Sequence, residues 1–434
     1  VRDGEDARPA HRRLVNSTLV ALSQMWTSFR AVAQFDSPEF ARDARRLRSV
    51  ASVEDLRRLA KRHLPAGVFD YIDGGAEDER TLAANSSDFS KIGFKPRVLR
   101  DVSALATSTT IFGKPASMPI VLSPTGFARI AHSEGELAVT RAAGRAGVPW
   151  SLSTMGTRSI EECAAANPDG EQWFQVYTWK DRGLVEDLVR RAAAANFGAL
   201  WLTVDTAVLG RRERDVRRGM TLPPKLGLGT LVDGARHPAW TWDFLQGGPI
   251  TFSNIVGQHE EDGSTAISLA EHVTQQFDQA LSWNDIDWLR TIWDGPIVLK
   301  GIQTVADAEQ AVAVGIDGIG LSNHGGRQLD DAPSPVSLIE PVRDAIGDAA
   351  TLFCDGGVRR GSDVVKALAL GADAVSIGKA HFLALGAAGE AGQRLPCRVR
   401  GSAADAADAA GDDLRRRQRL RVREREHLSK LIVH

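Results

Sequence analysis

Short apolar, β-branched runs return along the chain at intervals that leave room for a helix between each pair. They are MPIVLS from Met118, VPWSLS from Val148, WFQVY from Trp173, ALWLTVD from Ala199, PIVLK from Pro296, DGIGLS from Asp317, ATLFC from Ala350 and DAVSIG from Asp373. The stretches between them include ELAVTRAAGRAG and SDVVKALALGA, which are Ala-rich, apolar at helical spacing and finished by Gly, as helices commonly are. Eight strand–helix repeats predict one α/β unit, a (β/α)8 TIM barrel. In that fold the chemistry gathers where the strands end. Tyr177, Asp205, Lys300, His324 and Asp355 each fall at or just beyond the end of a run.

Two departures from the repeat shape the domain plan. The fourth run ends at Asp205 and the fifth opens only at Pro296, so an insertion after strand 4 is expected at about 213–283. With PPKLGLG, an aromatic cluster at Trp240, Trp242 and Phe244, and the polar stretch GQHEEDGS, it reads as a long lid-like loop with little regular structure. Packing against the barrel is the plainer role for its aromatics. Ahead of the barrel, VEDLRRLAKRHLPAGVFDYIDGGAEDE predicts two short helices, with Ser52 as N-cap of the first and Pro65 opening the second. They are expected to cap the barrel mouth. The plan is therefore an N-terminal extension at 1–50, the barrel domain at 51–392 and an atypical tail at 393–434. The chain opens on Val rather than Met, and residues 1 to about 25 are the poorest guide to the fold.

Composition narrows the class. A chain of 434 residues, 43% of them hydrophobic, can bury a large core. With 53 basic and 55 acidic residues the net charge is −2, so no global field points to nucleic acid, and small-molecule chemistry is favoured. Cys163, Cys354 and Cys397 lack metal-ligand spacing and make no disulfide framework, which fits a reducing cytosol; they read as small buried hydrophobes, and no metal is expected. No run is long enough to span a bilayer, and LVNSTLVALSQMW, broken by Asn16, Ser17 and Ser23, is not read as a signal peptide.

The densest chemistry lies in SNHGGRQLD, Ser322 to Asp330. His324 can take a proton near neutral pH, Arg327 can hold a carboxylate through two parallel hydrogen bonds, and Gly325 and Gly326 let the backbone turn beneath a flat ligand. Asp205 at a strand end would be a costly buried charge without a partner, which favours a functional role. Tyr71 alone reads as core or helix surface, and Arg212 within RRERDVRR as part of a solvated charge run. No GxGxxG follows the first strand, which argues against a nicotinamide site.

SNHGGRQLD resembles the active-site motif of the FMN-dependent L-2-hydroxy acid oxidase and dehydrogenase family. So do FDYIDGGAEDE around Tyr71, SPTGF around Thr125, FQVY ending at Tyr177, LTVDTAVLGRRE from Leu202, VLKGI around Lys300 and DGGVRRGSD from Asp355. The resemblance runs from about Ser52 to Gln393 in the family's order. It implies His324 as catalytic base, oriented by Asp205, with Tyr177 bonded to the substrate oxygen. It implies Arg327, Arg212 and Tyr71 on the substrate carboxylate. For FMN it implies Thr125, Gly126, Ser153, Gln175 and Thr203 around the ring, with Ser322 beside the same edge and Lys300 near N1 of the isoalloxazine. Asp355, Gly356, Gly357, Arg359, Gly378 and Lys379 would form the phosphate end. Met155 takes a position near the substrate tail, where core packing is equally expected.

The expected reaction is FMN-dependent oxidation of an L-2-hydroxy acid, with L-lactate foremost, to the 2-oxo acid; quinone, cytochrome or oxygen would reoxidise the cofactor. A homotetramer, with peripheral contact at the cytoplasmic face of the inner membrane through the insertion, is what the resemblance implies, and the cysteine usage fits the cytoplasm. Two readings compete: an FMN barrel isomerase, which would not need the His324, Arg327 and Arg212 set, and a damaged flavin-binding barrel without catalysis. Two departures from the family stand out. Lys379 replaces the usual Arg, a point charge in place of a fork. Beyond Gln393 the resemblance ends in an Ala/Asp stretch and seven arginines between Arg415 and Arg425, read as a basic tail, a nucleic-acid or membrane contact, or a shifted reading frame, the last preferred because the match stops abruptly.

Overall fold

The computed structural model describes residues 46–95, 98–99, 106–220, 227–256, 277–393 and 432–433. The chain divides into Val1–Arg45 and Arg46–His434, and the description below concerns the second unit. The tail beyond Gln393, apart from 432–433, and the PPKL and GQHEEDGS stretches of the insertion lie outside the described residues, as does Cys397.

All eight expected runs are strands: β1 Ile120–Leu122, β2 Trp150–Ser153, β3 Gln172–Val176, β4 Leu200–Thr203, β5 Ile297–Ile302, β6 Gly318–Ser322, β7 Thr351–Asp355 and β8 Ala374–Ile377. They pair in parallel in chain order, and β8 closes on β1. Alternate residues face opposite sides of the sheet. Outward ones such as Leu122, Leu152, Phe174, Leu202, Leu299, Leu321 and Cys354 join the core between strands and helices. Inward ones such as Val121, Trp173, Trp201, Val298 and Phe353 form a second core inside the barrel. Cys163 and Cys354 are buried thiols, as expected of small hydrophobes.

The same period of two creates the site. Two residues after the inward layer, apolar or Gly at every strand but β2, where it is Ser151, come Ser123, Ser153, Gln175, Thr203, Lys300, Ser322, Asp355 and Ser376, every one polar and buried. Aromatic packing seals the floor beneath this ring, with Trp201 5.2 Å from Phe353 and 5.8 Å from Trp173 between ring centroids. A hairpin, Thr109–Ile111 paired with Lys114–Ala116, plugs the far end, its Phe112 lying 5.9 Å from Phe353. The barrel is thus open only at the strand C-terminal ends.

The two expected cap helices are present, α1 Val53–His63 and α2 Ala66–Asp73, and a third that the sequence did not mark, α3 Arg80–Lys91, follows them. Ser52 caps α1 by accepting from the Asp55 N–H, and Pro65 precedes α2. Asp73 on α2 takes both Nε and Nη2 of Arg57, at 2.6 and 2.8 Å.

The insertion corrects the sequence expectation, because it carries regular structure: α4 Glu213–Arg218, α5 Leu228–Arg236, α6 Pro238–Gln246 and a turn at Ser253–Val256. The RRERDVRR run is equally not just a solvated surface. Arg214 pairs with Asp73 and Glu79, and Arg218 with Asp70, tying α4 to the cap. Helix α6 is docked on the loop after β1. Trp240 donates to Ile130 O at 2.9 Å, Asp243 accepts from Ser133 N and Oγ, and the Arg129 guanidinium donates to the carbonyls of Gly247, Gly248 and Pro249. Trp240 packs against the barrel core and stacks on Phe244, centroids 4.9 Å apart, whereas Trp242 and Leu245 point outward, 65% and 68% exposed.

Candidate active site

At the barrel mouth lies a cavity of about 220 Å³, more than ten times the roughly 15 Å³ a single water requires. All the catalytic, substrate and cofactor residues that the resemblance implies line it except Asp205 and Ser322, which stand one hydrogen bond behind; Gly325 lines it and Gly326 does not. Tyr71 reaches it from α2, as expected of a cap.

On the floor Lys300 and Asp355 form a buried ion pair, Nζ to Oδ2 2.8 Å. Ser322 Oγ accepts from Lys300 at 2.9 Å and donates to Asp355 Oδ2 at 2.7 Å, while Ser123 Oγ donates to Asp355 Oδ1 at 2.8 Å. Burial alone would push both pKa values toward neutrality. The mutual attraction and the hydrogen bonds outweigh it, so the carboxyl is held below and the ammonium above its ordinary value. A fixed cation therefore faces the cavity.

On one wall His324 Nδ1 lies 3.0 Å from Asp205 Oδ1. A carboxylate can only accept, so Nδ1 carries the hydrogen and Nε2 keeps the lone pair that a base needs. Asp205 is further fixed by Gln328, whose amide donates to its main-chain oxygen at 3.0 Å. Opposite, Tyr177 packs edge-on to Phe277 at 5.0 Å; burial and the Asp205 charge push its phenol up, so it stays neutral and can donate.

Beneath the cap two guanidinium groups converge. Arg327 donates to Tyr71 O at 2.6 Å and Gly74 O at 3.2 Å, and its Cζ stands 5.1 Å from the centre of the Tyr71 ring. Arg212 stands 5.9 Å from the same ring, its Nε 3.5 Å from Asp215. Burial, with Arg212 nearby, pulls Arg327 down to about 10. An anion between the two would relieve that repulsion.

At the far end Arg359 and Lys379 border the cavity beside Gly356, Gly357 and Gly378. Among the described residues neither cation has a carboxylate within ion-pair distance. Arg359 donates to Val358 O, and Lys379 to the carbonyls of Asp73 and Gly74 at 2.9 and 2.5 Å. Burial pushes both below their usual values, with the mutual repulsion of Arg327, Arg359 and Lys379 added for the lysine. Between the two ends Gln175 accepts from Ser153 Oγ at 3.1 Å, but its buried amide nitrogen has no partner among the described residues. An unmet donor, a buried cation and two further cations without carboxylate partners lining one cavity fit a flavin mononucleotide, whose ring acceptors and phosphate would use them.

A family model described as FMN-dependent dehydrogenase matches residues 60–399. The chain belongs to that family. Glycolate oxidase 1 of Oryza sativa subsp. indica is 44% identical over 352 residues, 81% of this chain and 89% of that one. The L-lactate dehydrogenase of Caulobacter vibrioides (strain NA1000 / CB15N) is 43% identical over 344 residues, 79% and 89% of the two chains. Among solved structures, a monotopic membrane protein, (S)-mandelate dehydrogenase, superposes with a TM-score of 0.79 at 37% identity, covering 83% of this chain and 95% of its own. The protein is thus an FMN-dependent oxidoreductase of the 2-hydroxy acid oxidase and dehydrogenase type. Among the described residues no helix is long and apolar enough to cross a membrane.

Several site residues escaped the sequence reading. Ser123 and Ser376 complete the polar ring and could have been found by counting two residues on from each inward apolar position. Asn85, Asn323 and Asp330 could not, since their roles depend on partners more than 200 positions away in the chain, as the Asn85–Asn323 and Thr81–Asp330 hydrogen bonds show.

Proposed function

We propose that this enzyme oxidises L-lactate to pyruvate, and that the carboxylate enters between Arg327 and Arg212 under the Tyr71 ring. The observation that carries this reading is the convergence of two guanidinium groups, Arg327 and the partly exposed Arg212, on the Tyr71 ring in a cavity that also offers a hydrogen-free imidazole nitrogen. Bound FMN supplies the two-electron acceptor. His324 Nε2 receives the substrate proton, and Asp205 holds the imidazole in that tautomer and balances the charge it gains. The Tyr177 phenol donates to the substrate oxygen, and the cap excludes water. Lys300 would face the electron-accepting end of the ring, Thr125, Gly126, Ser153, Gln175, Thr203 and Ser322 would hold the ring's edge, and Arg359 and Lys379 with Asp355, Gly356, Gly357 and Gly378 would hold the phosphate end.

A larger tail is the second reading. Phe127, Met155, Leu209, Met220, Phe252 and Phe277 make the remaining walls apolar, more than one methyl group would use. Anaerobic bleaching of the bound flavin decides between them: L-lactate should reduce it faster than glycolate, D-lactate or L-mandelate. Faster reduction by L-mandelate favours the larger tail, and none by any 2-hydroxy acid rejects both.

The exposed side chains Leu228, Leu231 and Val232 on α5 with Trp242 and Leu245 on α6 support peripheral membrane contact, with an acceptor such as a quinone met there. Co-sedimentation with anionic vesicles tests it, Trp242→Ser with Leu245→Ser being the variant expected to stay in solution. A homotetramer accompanies this reading and is checked by sedimentation velocity.

A further inference from the structure

His324 stands in an unfavourable backbone conformation. Leaving β6, it has φ 58°, followed by Gly325 at 66° and Gly326 at 71°, three successive residues in the left-handed region. The two glycines adopt it freely, but a residue with a Cβ does not, so something outside the turn has to keep the imidazole aimed at the cavity.

The neighbouring Asn323 is where that hold is applied. It is 1% exposed, and its amide is fully used. Its Oδ1 accepts from Gly326 N at 2.9 Å, closing the turn across His324 and Gly325, and from Asn85 Nδ2 at 2.8 Å. Its Nδ2 donates to Pro333 O at 3.0 Å and to Asn85 Oδ1 at 2.7 Å. Asn85 sits in the middle of α3, is also 1% exposed, and returns both bonds, so the two amides form a closed reciprocal pair.

Helix α3 meets the same loop at its other points. Ala76 N, just before the helix, donates to Gly326 O at 2.8 Å. At its first turn no side chain of its own caps the helix; Asp330, the last residue of SNHGGRQLD, accepts from Thr81 N at 2.8 Å and Arg80 N at 3.2 Å instead. On the other flank the Asn85 carbonyl presses on the phosphate loop, since a Cβ at Gly357 would lie 1.8 Å from it. The helix is wedged between the loop of the proposed base and the loop of the proposed phosphate site.

We propose that Asn85 is a positioning residue for the oxidation, holding the His324 turn in its left-handed form through the reciprocal amide pair with Asn323. The proposal rests on the reading of His324 as base. Asn85 borders the cavity, but its amide oxygen and an amide hydrogen are both directed to Asn323. An amide is the side chain that can do this: a carboxylate of the same size offers two acceptors, leaving Asn323 Oδ1 facing another oxygen in a buried place.

Asn85→Asp, purified with FMN, tests it beside His324→Gln. In Asn85→Asp the anaerobic rate of flavin reduction per bound flavin at saturating L-lactate should fall by on the order of tenfold to a hundredfold, as expected for a displaced catalytic group. KM should change by less than about threefold, and FMN dissociation, followed by flavin fluorescence, should stay near the parent value. A purely structural Asn85 would give lower flavin content or thermal stability with an unchanged rate per flavin, and that result overturns the proposal. If His324→Gln is slow while Asn85→Asp matches the parent, the positioning role fails and the base assignment survives. If His324→Gln reduces its flavin at the parent rate, the base assignment falls and this inference with it. Should Asn85→Asp not fold, Asn85→Ser, which loses both amide bonds without adding a charge, is read by the same criteria.

Discussion

His324 Nδ1 and Asp205 Oδ1 are 3.0 Å apart, and the second oxygen of Asp205 is buried with no partner among the described residues. The carboxylate is therefore dedicated to the imidazole. Asp205→Asn keeps the size but can offer its NH2 to Nδ1, which moves the ring hydrogen to Nε2 and abolishes the base. We expect flavin reduction to slow by about 10²- to 10⁴-fold with FMN still bound, and His324→Gln to lose at least as much. Single-turnover bleaching measures both. A fully active Asp205→Asn would mean that the proton goes elsewhere.

Arg327→Lys separates clamp from chemistry. The guanidinium uses Nη1 on Tyr71 O and Gly74 O, so its other edge is the one open to a carboxylate. An ammonium cannot serve the backbone and the substrate with the same geometry. KM for L-lactate should rise by about one to two orders of magnitude, with lower turnover and an unchanged flavin spectrum. Unchanged steady-state kinetics would place the clamp on Arg212 alone.

The barrel was legible because each strand is buried on both faces, which leaves an unbroken apolar run in the sequence. The motifs at the strand ends carried the site for the same reason: inward position two residues beyond the core is a matter of period, which primary structure preserves. Helix α3 was not legible, because RTLAANSSDFSK has a weak apolar face and borrows its cap from Asp330. Helix α6 was hidden behind a Gly-rich lead, and is held by Trp240 and Asp243 reaching the loop after β1 and by Arg129 of that loop donating to the carbonyls just beyond the helix. Tertiary partners decided both, and tertiary partners leave no local period.

Lys300, proposed to face the flavin ring, and Lys379, proposed to hold its phosphate, should fail differently. Lys300→Met removes the fixed cation and also leaves Asp355 buried without its countercharge, a loss of about 3–5 kcal/mol in a broken buried pair. A lower flavin potential, weaker FMN binding and a reduced melting temperature are expected together. Lys379→Arg restores a forked donor at the phosphate end and should hold FMN at least as tightly as the parent. Fluorescence-monitored FMN dissociation and a redox titration test the pair; a Lys300→Met protein with the parent potential would remove the lysine from the ring's electronics.

His381 gives the protein an acid limit that does not pass through the active-site base. It is fully buried, its Nε2 donates to Ser123 O at 3.0 Å, and its Nδ1 has no partner among the described residues. A carbonyl only accepts, so the ring is neutral with its hydrogen on Nε2, and a second proton would be both buried and unbonded. Burial accordingly pulls its pKa down to about 4 from an ordinary 6.5. A depressed folded value means that the unfolded chain binds the proton first. The stability from keeping this ring neutral is fully present above about pH 6.5 and drains away as pH falls toward 4, by about 3 kcal/mol in all. His381→Gln, which can still donate to Ser123 O but does not titrate, should therefore show a flatter fall of urea midpoint between pH 6.5 and pH 4 than the parent, although it is less stable at pH 7.5. Carboxylates that titrate below that window act in both proteins and cancel in the difference. Parallel midpoint curves for the two would show that His381 binds its second proton without cost to the fold.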